Sequence, residues 1–179
     1  MSLIRRLARP LCLALATLVF GAAWTALSPA RAHETTVVYP SSYGAGTIVI
    51  DRRQRKLFLT MGDGRAISYP VAVGMAGKAW SGWAHVNGKY VSPAWSPPAI
   101  VKHDHPEIPD LIPGGSPDNP MGVRALTLDR DEIAIHGTTL SMRKSVGTAA
   151  SYGCIRMYNE DVTDLFDRVP IGTPVIAIP

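Results

Sequence analysis

IHGTTLSMRKSVGTAASYGCIRM, residues Ile135 to Met157, is the stretch on which the rest of the chain is organised. His136 stands at its start and Cys154 near its end. Between them lie glycines, small residues and hydroxyls, with few large apolar side chains. A run with so little to bury makes poor core. It suits two reactive side chains held over an open surface.

Strand signals flank this stretch. Ala125–Leu128 and Glu132–Ile135 read as two short strands around Asp129-Arg130-Asp131, so His136 falls at a strand end and Gly137 permits a sharp exit. After Cys154, Asn159 is expected to cap a helix, with Glu160 and Asp161 in its first turn. Val162, Leu165 and Phe166 share one face, and the helix stops before Pro170. Gly172 then turns the chain into a last strand, Pro174–Ile178.

Further upstream the pattern stays β. Thr47–Ile50, Leu57–Leu59 and Ile67–Val73 read as a meander, with Gly62-Asp63-Gly64 as a hairpin signal. Its expected inward residues are Ile48, Ile50, Leu57, Leu59, Val71 and Val73. Asn87-Gly88 between Val86 and Val91 predicts a second hairpin, and Trp80, Trp83, Tyr90 and Trp95 are expected to cover the end of the β-core. Val101–Met121 holds five prolines and Gly114-Gly115. A loop this long in a compact domain is often functional, here as the wall or lid of a site. His103 and His105 have metal-ligand spacing but no matching third-ligand motif, so surface histidines are expected and no metal is assigned.

The first 32 residues read as an export signal. Arg5, Arg6 and Arg9 precede an apolar run from Leu11 to Leu27, and Ala30-Arg31-Ala32 fits small-x-small cleavage. The competing reading is an uncleaved anchor, for which the run is short. Cys12 lacks small residues before it, which argues against lipid attachment there. The expected organisation is signal 1–32, a loose turn-rich leader 33–45 and one catalytic domain 46–179. The expected location is the periplasm or cell envelope, with no stable membrane span in the mature form.

Removing that signal changes the charge. The 18 basic residues lose Arg5, Arg6, Arg9 and Arg31, which leaves 14 against 14 acidic residues. A formally neutral chain gives no electrostatic case for nucleic acid. The two cysteines also become one. A lone thiol in an oxidising compartment forms no internal disulfide and is either reactive or buried and inert.

A thiol attacks a carbonyl as thiolate, so it needs a base or oriented N–H groups nearby. His136 is the natural base. Ser151-Tyr152-Gly153 can form a tight turn before Cys154, with N–H groups approaching an oxyanion. Arg156 suits a substrate carboxylate as a fork. These residues point to acyl transfer by a cysteine–histidine enzyme that needs no cofactor.

With His136 eighteen residues before Cys154, the segments IHGT and SYGCIRM resemble the L,D-transpeptidases with the YkuD catalytic domain. Val71–Gly74, Pro113-Gly114-Gly115, Asn119-Pro120-x-Gly122 and Gly172–Val175 add to the resemblance, which covers Gly46 to Ile178. It implies a mainly β fold, an L,D-transpeptidase-type β-sandwich with one C-terminal helix and long irregular loops. It also implies Cys154 as nucleophile and His136 as general base, then acid. The Gly137 carbonyl would orient the ring, and the Gly153 and Cys154 N–H groups would hold the oxyanion. The implied partner is a peptidoglycan stem peptide, cross-linked 3→3 through a thioester or joined to a lipoprotein. Many members carry histidine where Tyr152 stands, which leaves acceptor preference open. Three other readings remain at this level. The enzyme could be hydrolytic, with water resolving the same thioester or existing 3→3 links being cut, the chain could be a non-catalytic wall-binding module, or His103, His105 and Cys154 could hold zinc.

Overall fold

The computed structural model describes residues 33–179, so the expected export signal lies outside the described residues. The strands are β1 Thr35–Val38, β2 Ile48–Asp51, β3 Lys56–Thr60, β4 Arg65–Pro70, β5 Val73–Gly74, β6 Gly82–Val91, β7 Arg124–Leu128, β8 Ala134–His136, β9 Ala149–Ser151, β10 Ile155–Arg156 and β11 Pro174–Ile178. The helices are α1 Ala99–Asp104 and α2 Asn159–Arg168, with a 3-10 turn at Arg143–Ser145. Nine strands join in the order β1-β4-β3-β2-β11-β6-β7-β8-β10, and β5 pairs separately with β9. None of these helices is long and apolar enough to cross a membrane.

The IVI run of β2 and the LFL run of β3 do not alternate, because both of their faces are covered. Ile48, Ile50, Leu57 and Leu59 face the main core, where they meet Val71, Val73, Leu126, Ile135, Ile155 and, from α2, Val162 and Leu165. Val49 and Phe58 face the other way, into a smaller cluster with Ala66 and Ile176. That second face explains the leader. Val37, Tyr39 and Tyr43 pack on it, and the Tyr39 ring stacks on Phe58 at 4.4 Å. Residues 33–45 are therefore not loose, since β1 pairs antiparallel with β4 as an edge strand.

β6 is the strand on which the sheet turns. Its first part pairs with β11 and its second with β7. The expected hairpin at Asn87-Gly88 is absent: β6 runs through it, with Val86 opposite Leu128 and Gly88 opposite Thr127. Asn87 is thus the extra residue of a bulge. A type I′ turn needs positive φ at both central residues, and neither Asn87 nor Gly88 has it. The Asn87 carboxamide instead accepts the Thr127 hydroxyl at 2.6 Å.

The four aromatics do not form one cover. Trp80 packs on the main core, Trp95 lines the large cavity described below, and Trp83 and Tyr90 are half exposed. Helix α2 begins as expected but is not capped by Asn159. Tyr158 is the capping position and makes no side-chain cap bond, while Asn159 is the first helical residue.

Candidate active site

Strands β8 and β10 run parallel, with Ile155 opposite Ile135 and Arg156 opposite His136. Ile135 and Ile155 point into the core. Alternation then sends Cys154, Arg156 and His136 to the other face. All three line one cavity of about 610 Å³. Its opposite wall is the proline-rich segment, which supplies Val101, His105, Pro109, Ile112 and Pro120.

Cys154 is half-buried. Its thiol donates to the Glu132 carbonyl at 3.3 Å and accepts the Ala134 N–H at 3.4 Å. Glu132 holds a left-handed backbone, φ 59°, a conformation costly for a residue with a side chain. Burial pushes the thiol above its ordinary value, against the pull of the Ala134 N–H and the Arg156 charge.

His136 is buried, and burial lowers its imidazole to about 4. The neighbouring Arg156 charge lowers it further, while the Gly137 and Pro120 carbonyls oppose the shift. Its Nδ1 is buried with no hydrogen-bond partner among the described residues. At neutral pH the two groups therefore rest as thiol and neutral imidazole.

The turn before the cysteine is held from inside. Ser151 Oγ donates to the Cys154 carbonyl at 2.5 Å and accepts the Gly153 N–H at 3.1 Å. Ser151 thus pins the turn, and the Gly153 N–H expected at an oxyanion is already engaged. Gly153 has φ +128°, and a Cβ there would meet Ile133 at 2.8 Å. Trp80 Nε1 donates to the Gly153 carbonyl, and Met75 N–H to the Ser151 carbonyl.

Arg156 is buried yet takes part in none of the ion pairs formed by arginine and lysine among the described residues, which belong to Arg65, Lys102, Arg143 and Arg168. Nη1 donates to Ser145 Oγ at 2.8 Å, and Nε has no partner among the described residues. A guanidinium stays charged even when buried. The cavity thus holds a fixed cation that forms no ion pair among the described residues, with Asp118, Asp131 and Glu132 elsewhere on its lining.

Tyr152 is on the cavity wall. Its hydroxyl donates to Asp104 Oδ2 at 2.9 Å, and its ring lies edge-on to His105. It links the turn before Cys154 to α1 in the proline-rich wall. His103 is exposed and bonds Asp104. No group of three or more metal-ligating side chains occurs among the described residues.

Two asparagines escaped the sequence reading as parts of the site. Asn119 is buried, and its Nδ2 is within bonding distance of the Pro93, Ile112 and Pro113 carbonyls while Oδ1 accepts the Met121 N–H. Asn159 Oδ1 accepts the Thr138 N–H at 2.9 Å. A Cβ on Gly137 would stand 2.2 Å from that oxygen, so only glycine fits between His136 and this support. The available signal for Asn119 was its place in the Asn-Pro-x-Gly motif. Asn159 looked like an ordinary cap.

This mostly β architecture is that of the L,D-transpeptidase fold. It superimposes on the L,D-transpeptidase from Mycobacterium smegmatis with a TM-score of 0.59 at 16% identity, over 74% of this chain and 58% of that one. The family model for the YkuD L,D-transpeptidase catalytic domain matches residues 45–176, and the chain belongs to that family. It is 33% identical to the "Probable L,D-transpeptidase YbiS" of Escherichia coli K12 over 147 residues, 78% of this chain and 46% of the relative. Identity is also 33%, over 145 residues, to the "Probable L,D-transpeptidase ErfK/SrfK" of Salmonella typhimurium, again 78% of this chain and 46% of the relative. The chain spans about half the length of these curated relatives.

Proposed function

We propose that this protein is an exported, cysteine-dependent L,D-transpeptidase that acts on peptidoglycan stem peptides in the cell envelope. The observation that carries the reading is the ladder face of β8 and β10, which presents Cys154, His136 and an unpaired Arg156 to one cavity. The export signal in 1–32 supports the location.

Each group has a chemical task. Arg156 would fork onto the terminal carboxylate of a tetrapeptide donor. His136 would take the thiol proton as sulfur attacks the carbonyl of the third stem residue. Because the resting groups are both neutral, proton transfer accompanies attack rather than preceding it. The Gly137 and Pro120 carbonyls favour the protonated ring and would steady it as it forms. With Gly153 N–H engaged by Ser151, the oxyanion falls to the Cys154 N–H. His136 would then protonate the leaving D-alanine, giving a thioester. An amine of a second stem would resolve it as a 3→3 cross-link, and an amine of a lipoprotein would give wall attachment by the same step.

The test is incubation of the purified protein with tetrapeptide muropeptides and mass spectrometry of the products. Dimers lacking one D-alanine are expected, and Cys154→Ala should give none. Tripeptide monomers without dimers would mean that water is the acceptor. Dimers from the cysteine variant would refute the reading.

A further inference from the structure

Away from the catalytic cavity, positive charge concentrates in one turn. The β2–β3 connection carries Arg52, Arg53, Arg55 and Lys56, four of the 14 basic residues in 33–179. Arg52, Arg53 and Arg55 line a second cavity of about 410 Å³, completed by the loop 74–79 and by Ala149.

The backbone fixes their arrangement. Arg55 has φ 53°, and its carbonyl accepts the Val71 N–H at 2.9 Å. Arg55 Nη1 donates to the Arg53 carbonyl, and Arg52 Nε to the Ile178 carbonyl. None of the three joins the ion pairs of the described residues, which use other cations. Asp51, the acid of this turn, is turned onto Gln54, accepting its N–H at 2.8 Å and its carboxamide at 2.7 Å. Pro179 also borders the cavity. Three like charges beside one concavity repel each other until an anion joins them. Guanidinium forks with open N–H groups suit carboxylate geometry.

The position of this cavity selects the anion. Strand β9 is the partition between the two cavities: Ala149 faces the arginines, while Ala150 and Ser151 face the catalytic side. The loop 74–79 also reaches the nucleophile turn through the Met75 bond to Ser151. We propose that the arginine cavity is a second binding site, which grips carboxylates on peptide stems of the wall polymer beside the stem under reaction. The choice of polymer rests on the function proposed above.

The experiment is co-sedimentation of the protein with purified sacculi across a salt series, for wild type, Arg53→Gln and Arg53→Glu. Arg53 is exposed and supports no fold contact through its side chain, so these variants should fold. Arg53→Gln should weaken binding about tenfold, as for one lost charge-assisted bond, and Arg53→Glu more. Sacculi whose carboxylates have been amidated should bind wild type no better than Arg53→Gln. Dimer formation from small soluble muropeptides should be unchanged in both variants. Equal binding of all three proteins would overturn the site. Arg53-dependent binding to phosphatidylglycerol vesicles but not to sacculi would overturn the assignment to wall stems. Arg53-dependent sacculus binding by a protein that makes no dimers would still support this site, and would count against transpeptidation instead.

Discussion

In the half of the sheet built from β2, β3, β4 and β11, ladders of four or five residues run in unbroken register, and most of the side chains on them are aliphatic or aromatic. From Ser92 to Tyr158 the strands shrink to between two and five residues, and single polar side chains complete the structure. Asn119 gathers the proline-rich wall, Ser151 pins the turn before Cys154, Asn159 backs the chain after His136, and Glu160 accepts both ends of the Arg143 fork. The first half draws on burial, which is diffuse and degrades by degrees. The second depends on directional bonds, each with a fixed partner. A substitution in the first half should therefore move stability more than chemistry, and one in the second should do the reverse.

Cys154→Ala is the extreme case. It should remove all dimer formation while leaving the thermal midpoint near that of the native protein, because the thiol makes only two weak sulfur contacts. A large fall in the midpoint would show that the site half also rests on the cysteine for stability. Leu57→Ala is its mirror image. Leu57 is fully buried in the main core, and truncation there should cost about 2–5 kcal/mol. Activity per folded molecule, measured well below the new midpoint, should change little.

Acid should discriminate the halves next. The imidazole of His136 titrates near 4 when folded and near its ordinary 6.5 when unfolded. Between those values the unfolded chain binds the extra proton, so stability falls as pH drops from 6.5 towards 4. The full shift is worth up to about 3 kcal/mol. Urea unfolding at pH 7 and pH 4.5 should show that loss in wild type and less of it in His136→Gln. The carboxylates held low by ion pairs add a slope of the same sign in both proteins, so the difference between the two isolates the histidine. Equal slopes would mean that the ring is not desolvated.

Asn119→Ala should cost about 2 kcal/mol, since it leaves buried carbonyls without a donor. That is less than Leu57→Ala, yet it should harm turnover more, because the wall of the catalytic cavity loses its tie. Circular dichroism melts beside dimer yields would settle the ranking.

The same contrast explains what was legible in the sequence. Apolar runs are read from one strand at a time, so all six expected inward residues of the meander lie in the main core. The lack of alternation in Ile48-Val49-Ile50 and Leu57-Phe58-Leu59 also held a signal that the outer face needs a cover, which the leader supplies. Local rules misled where a distant partner decided the outcome. Asn87-Gly88 suits a tight turn, but β7 continues past it and draws β6 straight through. Asn159 suits a cap, but Thr138 offers its N–H from another segment. The His136 and Cys154 motifs were plain in the sequence because their residue types are chemical. The engagement of Gly153 N–H by Ser151, and the lack of an ion-pair partner for Arg156 among the described residues, are facts of three-dimensional neighbourhood that no linear pattern encodes.

Tyr152 tests the border between the halves most finely. Its side chain is exposed enough that its bond to Asp104 should add little to stability. Tyr152→Phe removes that bond and keeps the ring against His105. Stability should therefore hardly move. The lost tie runs between the turn before Cys154 and the proline-rich wall, so on the proposed function the effect should lie in how a second stem is accommodated. Thioester formation, followed by release of D-alanine at saturating donor, should keep its rate. The acceptor concentration needed for half-maximal dimer yield should rise by about twofold. A fall in the acylation rate with no change for the acceptor would place Tyr152 with Ser151 as a support of the nucleophile turn, and would move the boundary between diffuse and directional regions out to the cavity rim.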